Sequence, residues 1–236
     1  MLLDTPMQTR ISDQPAYILH RRDWQNTSLL LDVITRDYGR LSLLAKGGKT
    51  SKARAYYQPF CRLSISWIGR QELKTLIGID GLMIPVATQN YLSLLYINEL
   101  VTAFLPQHES NIEVFNLYER LVNNIHFDES DLREFEKAIM ELLGYFPDTS
   151  IDAGNGEKID PEKTYQFIAS SGFILCHEDD NNSISGMRII DWQNKNYSDD
   201  YAMQLAKTVM RSIIDYNLNG KKLKSRDIYL QMKSYL

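Results

Sequence analysis

Residues 32–52 read DVITRDYGRLSLLAKGGKTSK, and their reading decides the fold. Two apolar runs, Leu29-Leu30-Leu31-Asp32-Val33-Ile34-Thr35 and Leu41-Ser42-Leu43-Leu44-Ala45, flank Asp37-Tyr38-Gly39. Glycine takes the positive φ that a tight reversal requires, so the stretch predicts a β-hairpin. Lys46-Gly47-Gly48-Lys49 follows at once, with Lys52 and Arg54 close behind. Amino groups thus sit on a glycine-loosened segment just beyond a strand. A short strand pair feeding a basic loop is how a small barrel presents charge to a nucleic-acid backbone.

Working outward, Pro15-Ala16-Tyr17-Ile18-Leu19 predicts a strand, and His20-Arg21-Arg22-Asp23-Trp24 a polar connection to the hairpin. On the other side, residues 60–67 alternate with period two: Cys61, Leu63, Ile65 and Trp67 face one way, and Phe60, Arg62, Ser64 and Ser66 the other. Gly69-Arg70 reads as a turn, residues 73–79 as a fifth strand, and Asp80-Gly81 as its end. Five short strands fit an oligonucleotide-binding (OB) barrel, with an SH3-like barrel the main competitor on strand count.

After Pro85 the period changes from 2 to 3.6. Residues 91–105 are apolar enough for a helix buried on most sides, ended by Pro106. Ser110 and Glu113 have capping-box spacing for a second helix, and a third is expected from Ser130 to near Gly144. Residues 147–198 read as a loop-rich insertion holding one hairpin, from the short apolar pieces 167–169 and 172–175. Helix returns at Asp199–Asn219, with Gly220 as its carboxyl cap, and Ser225 is an N-cap for a last short helix. The expected architecture is α+β: a five-stranded OB-fold over residues 1–82 and a mainly helical domain over 83–236.

Charge divides along the chain in the same way. The formal net charge is -4, yet residues 10–74 hold twelve Lys/Arg against five Asp/Glu, a balance of +7, leaving -11 elsewhere. Such separation favours an amino-terminal region that meets phosphate; the plain alternative is an uneven solvated surface. No run of about 18 uncharged apolar residues exists and no secretory leader opens the chain, so a cytosolic protein is expected. Cys61 and Cys176 are then expected to be ordinary thiols.

Motifs for other chemistry fall short. Gly48-Lys49-Thr50 looks like the end of a phosphate-binding P-loop, but the glycine required five residues before Gly48 is Leu43. His20, His108, His126 and His177 lack metal-ligand spacing, and Cys176-His177-Glu178-Asp179-Asp180 reads as an exposed turn rather than a metal site. No Gly-x-Ser-x-Gly elbow occurs. The aromatics Trp24, Tyr38, Tyr56, Tyr57, Phe60 and Trp67 interleave with Arg and Lys, a mixture suited to base stacking beside neutralised phosphates. Phe60 and Trp67 fit a core, whereas Tyr56-Tyr57, in the loop, are candidates for surface stacking. Candidate DNA contacts in the loop are Lys46, Lys49, Lys52, Arg54 and Tyr57. Those on the strands and turns are Arg21, Arg22, Arg36, Arg40, Arg70 and Lys74.

In these residues the chain resembles the RecO family of bacterial recombination mediators. The likeness is carried by Ala16-Tyr17-Ile18-Leu19-His20-Arg21-Arg22, Leu31 to Thr35 with Gly39-Arg40-Leu41, Ala45-Lys46-Gly47-Gly48 and Gln58-Pro59-Phe60. It continues through Gly69-Arg70, Glu72 to Leu76, Leu95 to Leu100, Leu132-Arg133-Glu134-Phe135-Glu136 and Leu223-Lys224-Ser225-Arg226. The resemblance implies an OB-fold followed by a helical domain, and a non-enzymatic role in recombinational repair. It further implies binding of single- and double-stranded DNA, strand annealing, partnership with RecR in loading RecA onto strands covered by the single-strand-binding protein, SSB, and a functional link to RecF. Arg133 is the residue it implies for the SSB C-terminal tail, the alternative being an ordinary solvated arginine. Many members carry a four-cysteine zinc element where this chain offers only Cys176, so no cofactor is expected. A cytoplasmic, nucleoid-associated location follows from the same likeness. Two rival classes remain: an interaction scaffold whose barrel binds a protein, and a nuclease or NTPase.

Overall fold

The computed structural model describes residues 9–83, 90–178, 180, 182–196 and 200–234. The two apolar runs form β2 (Ser28–Thr35) and β3 (Gly39–Ala45), paired antiparallel without interruption from Leu29↔Ala45 to Thr35↔Gly39. Around them β1 (Arg10–Trp24), β4 (Cys61–Ile68) and β5 (Leu73–Met83) close a barrel in the order β1-β2-β3-β5-β4. The β3–β5 pairing is parallel and skips β4, while the other pairings are antiparallel. That order, which strand count alone leaves open, is the OB-fold rather than the SH3-like alternative.

The barrel core follows the alternation of the strands. Leu29, Leu31 and Val33 of β2, Leu41, Leu43 and Ala45 of β3, and Cys61, Leu63, Ile65 and Trp67 of β4 point inward. Phe60 and Trp67 are core residues as expected. At Asp80-Gly81 the expected end of the fifth strand is wrong. β5 runs on to Met83, with Gly81 opposite Leu63. A Cβ at Gly81 would stand 2.6 Å from the Arg62 carbonyl oxygen, so the glycine marks a close strand approach and not a turn.

β1 is also longer than expected, because His20–Trp24 continue the strand instead of forming a connection. The ladder shifts between Ile11 and Gln14, where Asp13 has φ 55°, and Pro15 lies next to this bulge. Residues 16–19 are buried on both faces, which explains their unbroken apolar run. Ala16 and Ile18 fill the barrel. Tyr17 instead meets the rings of Phe115 and Tyr118, at centroid distances of 5.8 and 5.2 Å. These belong to α2 (Ile112–Val122), which follows α1 (Tyr91–Phe104).

By compactness the chain divides into residues 1–126 with 223–236, and residues 127–222. The first unit therefore holds the barrel, α1, α2 and α6 (Lys224–Ser234). Its helix starts differ from the expected ones. Asn111, not Ser110, caps α2 by accepting from the Val114 amide at 3.0 Å. Ser225 does not cap α6; the Glu99 carboxylate of α1 accepts from the Lys224 and Ser225 amides at 3.0 and 2.8 Å. Pro85 lies outside the described residues.

The second unit contains α3 (Glu129–Leu142), a sheet of β6 (Thr164–Ile168), β7 (Gly172–Cys176) and β8 (Ile184–Ser185) in the order β7-β6-β8, α4 (Gly186–Gln193) and α5 (Asp200–Leu218). Asp128 and Asp131 form the capping box of α3, so the helix starts before Ser130. The expected hairpin is β6–β7, but the stretch 147–198 is more ordered than a loop insertion. It adds β8 and α4, and Asp152 fixes its first half: the buried carboxylate accepts from the Gly154 and Leu175 amides at 2.9 and 3.3 Å. Asn219 and Gly220 end α5 with φ of 49° and 83°, as a carboxyl cap requires. Asp199, its expected first residue, and Asp179 lie outside the described residues.

Candidate nucleic-acid interface

The barrel sorts the candidate cations to its two ends. Because β2 and β3 are antiparallel, the β1–β2 turn (25–27) and the β3–β4 connection (46–60) share one end, and the β2–β3 turn (36–38) lies at the other. β5 starts parallel to β3, which places the β4–β5 turn (69–72) with the second group. Arg21, Arg22, Lys46, Lys49, Lys52 and Arg54 thus belong to the first end. Arg36, Arg40, Arg70 and Lys74 belong to the second.

At the first end the basic connection is folded down rather than loose. Gly47, at φ 66°, lets its carbonyl accept from the Thr50 and Ser51 amides at 3.1 and 3.0 Å. Ser51 then caps a 3-10 turn over Lys52–Tyr56. The Lys49 amide donates to the Thr27 carbonyl at 3.0 Å, and its amino group reaches the Gln25 carbonyl at 3.0 Å and the Asp23 carboxylate at 3.1 Å. The Arg21 guanidinium donates to the Tyr57 carbonyl at 2.8 Å. Lys49 and Arg21 therefore hold the loop in place. Arg22, Lys46, Lys52 and Arg54 are exposed and make no salt bridge among the described residues.

Tyr57 does not fit its expected role as a surface stacking residue. It is only 5% exposed and belongs to the barrel core, since the 3-10 turn delivers its ring inward. Burial also pushes its hydroxyl pKa up. Tyr56, its neighbour, is half-buried. The aromatic that emerges at this end is Trp24, 39% exposed. The available signal was a single large aromatic within the polar stretch 20–27.

The second end is more engaged. Arg40 is largely buried, donates to the Thr102 carbonyl and lies 3.7 Å from Asp32. Burial raises the Asp32 pKa, against the opposing pull of Arg40, His20 and Arg22. Arg40 ties β3 to α1 and is not a free phosphate contact. The Lys74 amino group donates to the Gln71 carbonyl at 3.2 Å, and desolvation lowers its pKa. Arg70 bonds the Thr9 hydroxyl at 3.0 Å, whereas Arg36 is exposed and unpaired by any salt bridge among the described residues.

Arg133, in the other unit, is not a solvated arginine. It is 8% exposed, and its Nη1 lies 2.7 Å from Glu136, which is more deeply buried. Its Nε makes no hydrogen bond among the described residues. Cys61 and Cys176 are free thiols. Among the described residues no group of three or more His, Cys, Asp or Glu is placed to hold a metal ion, and no helix is long and apolar enough to cross a membrane.

Comparison with known proteins accounts for both halves of the chain. Residues 7–82 match the family model described as Recombination protein O N terminal, and residues 88–227 that described as Recombination protein O C terminal. Among curated relatives, the DNA repair protein RecO of Methylococcus capsulatus is 33% identical over 228 residues, covering 94% of each chain. That of Vibrio vulnificus is 34% identical over 227 residues, covering 93% of each. That of Salmonella dublin is 35% identical over 226 residues, covering 92% of this chain and 93% of the relative. With the OB-fold barrel in front and both models matched in order, the chain belongs to the RecO family of DNA repair proteins.

Proposed function

We propose that this protein binds single- and double-stranded DNA through the first end of its barrel and anneals complementary strands, making and breaking no covalent bond. The observation that supports this reading is the set of exposed cations Arg22, Lys46, Lys52 and Arg54 around a fixed loop. Cations that neutralise phosphates on two strands lower the repulsion between complements, and contacts confined to the backbone leave base edges free to pair. Annealing then needs only proximity.

In the same reading the protein works in the cytoplasm at the nucleoid, with RecR and in functional link to RecF, to load RecA onto SSB-coated strands. The SSB tail, an acidic segment with a free carboxylate, is met by Arg133. Its guanidinium, 8% exposed and 2.7 Å from Glu136, would take that carboxylate in competition with Glu136. Replacing Arg133 with Lys keeps the charge beside Glu136 but removes the planar fork. Tail-peptide affinity should fall, and unchanged affinity ends this assignment.

The deciding experiment is a strand-annealing assay without metal or nucleotide, run with and without SSB, on the native chain and on a Lys46→Glu, Lys52→Glu, Arg54→Glu variant. The native chain should anneal and the variant should not. Equal annealing by both, or consumption of the oligonucleotides, overturns the proposal.

A further inference from the structure

Trp24 stands out from the other two tryptophans: it is 39% exposed, whereas Trp67 and Trp192 are 1% exposed. It is the last residue of β1, beside the β1–β2 turn at the first end of the barrel. The residues on both sides of it are held by one amino group. Lys49 Nζ lies 3.1 Å from the Asp23 carboxylate and donates to the Gln25 carbonyl at 3.0 Å, while the Lys49 amide donates to Thr27. Gln25 adopts φ 50°, a left-handed conformation that glutamine rarely takes. Lys49 thus grips the Asp23 side chain on one side of an exposed indole and the Gln25 backbone on the other, at the same end of the barrel as Arg22, Lys46, Lys52 and Arg54, which make no salt bridge among the described residues.

From this arrangement we propose that Trp24 is a base-stacking platform that gives the barrel a preference for unpaired over paired DNA, with Lys49 as its positioning residue. The proposal rests on the DNA-binding reading above and adds the part of the ligand that Trp24 takes. An indole face stacks on any base, but only a base free of its own helical stack can lie on it. The phosphates of that nucleotide would then run over Lys46, Lys52 and Arg54. Tyr38, the other well exposed ring of the barrel strands and turns, does not compete: it sits in the turn at the opposite end, edge-on to Trp67 at 5.3 Å. Lys49 thus holds the platform instead of meeting phosphate.

The test uses the full chain and fluorescein-labelled oligothymidylate, with a duplex of the same length alongside. Trp24→Ala should weaken single-strand binding roughly ten-fold, within the range for one base–aromatic stack, and leave duplex binding unchanged. Trp24→Tyr should restore most of the loss. Unlabelled oligothymidylate should quench native tryptophan emission, and Trp24→Phe should abolish the quenching because the two remaining indoles are buried. Lys49→Met should lower single-strand affinity while leaving the salt dependence of binding unchanged, since it removes a support and not a phosphate contact. Unchanged single-strand affinity in Trp24→Ala overturns the platform, as does equal loss for single strand and duplex. If instead the Lys46, Lys52, Arg54 charge reversal leaves both affinities intact, the DNA-binding reading itself has failed.

Discussion

Asn98, buried in α1, donates its side-chain amide to the Leu19 carbonyl of β1 at 2.9 Å. The same side chain accepts from the fully buried Tyr118 hydroxyl at 2.7 Å, so one residue joins the barrel wall to both helices that cover it. Replacing Asn98 with Leu should destabilise the protein by about 2–3 kcal/mol, because it orphans a buried hydroxyl and a backbone carbonyl together. Urea unfolding followed through the two barrel tryptophans, Trp24 and Trp67, in a Trp192→Phe background, would measure it. A midpoint equal to that of the parent would show that the groups find other partners.

Next to this junction, burial pushes the Tyr17 pKa to about 12, assisted by Glu119 and opposed by the Asn123 hydrogen bond. The ordinary value is about 10. Between these values the unfolded chain releases the proton while the folded chain keeps it. The stabilising contribution is therefore complete below pH 10 and is lost as pH rises toward 12. Stability plotted against pH should fall less steeply across this interval in Tyr17→Phe than in the native chain. Equal slopes would contradict it.

Gly39 and Gly47 share a φ near 65° but differ in surroundings. A Cβ at Gly39 would stand 1.9 Å from the Glu109 carbonyl oxygen, whereas one at Gly47 meets nothing within 4 Å. Alanine at Gly47 should cost only the left-handed backbone penalty, about 1–2 kcal/mol. Alanine at Gly39 should cost clearly more, since backbone must also move. Thermal unfolding of the two variants side by side checks the order.

The four cations at the first end of the barrel that make no salt bridge among the described residues give a salt dependence of definite size. If each meets one phosphate, log affinity for a single strand should fall against log salt with a slope of about -2.8. Neutralising Lys46, Lys52 and Arg54 should flatten it by about 2.1, while neutralising Arg36 and Arg70 at the far end should leave it unchanged. A flat native line would rule out phosphate contacts as the source of affinity.

Much of this molecule was legible from its residues alone. The hairpin of β2 and β3, the inward face of β4 and the apolar faces of the helices follow from alternation and helical spacing, which depend only on how side chains project from a local backbone. Helix caps and the end of β5 were misjudged where a distant group settled the matter: Glu99 for α6, and the Arg62 carbonyl for Gly81. The same holds for the interface. Composition located the basic third of the chain, but which cation is free, which is tied and which aromatic faces water depend on contacts across the barrel. Lys49, Arg21 and Arg40 each spend their charge on a partner far away in sequence, and Tyr57 turns inward because a 3-10 turn rotates it there. Period and charge are properties of neighbours along the chain; exposure and pairing are properties of neighbours in space, and only the closed barrel brings those together.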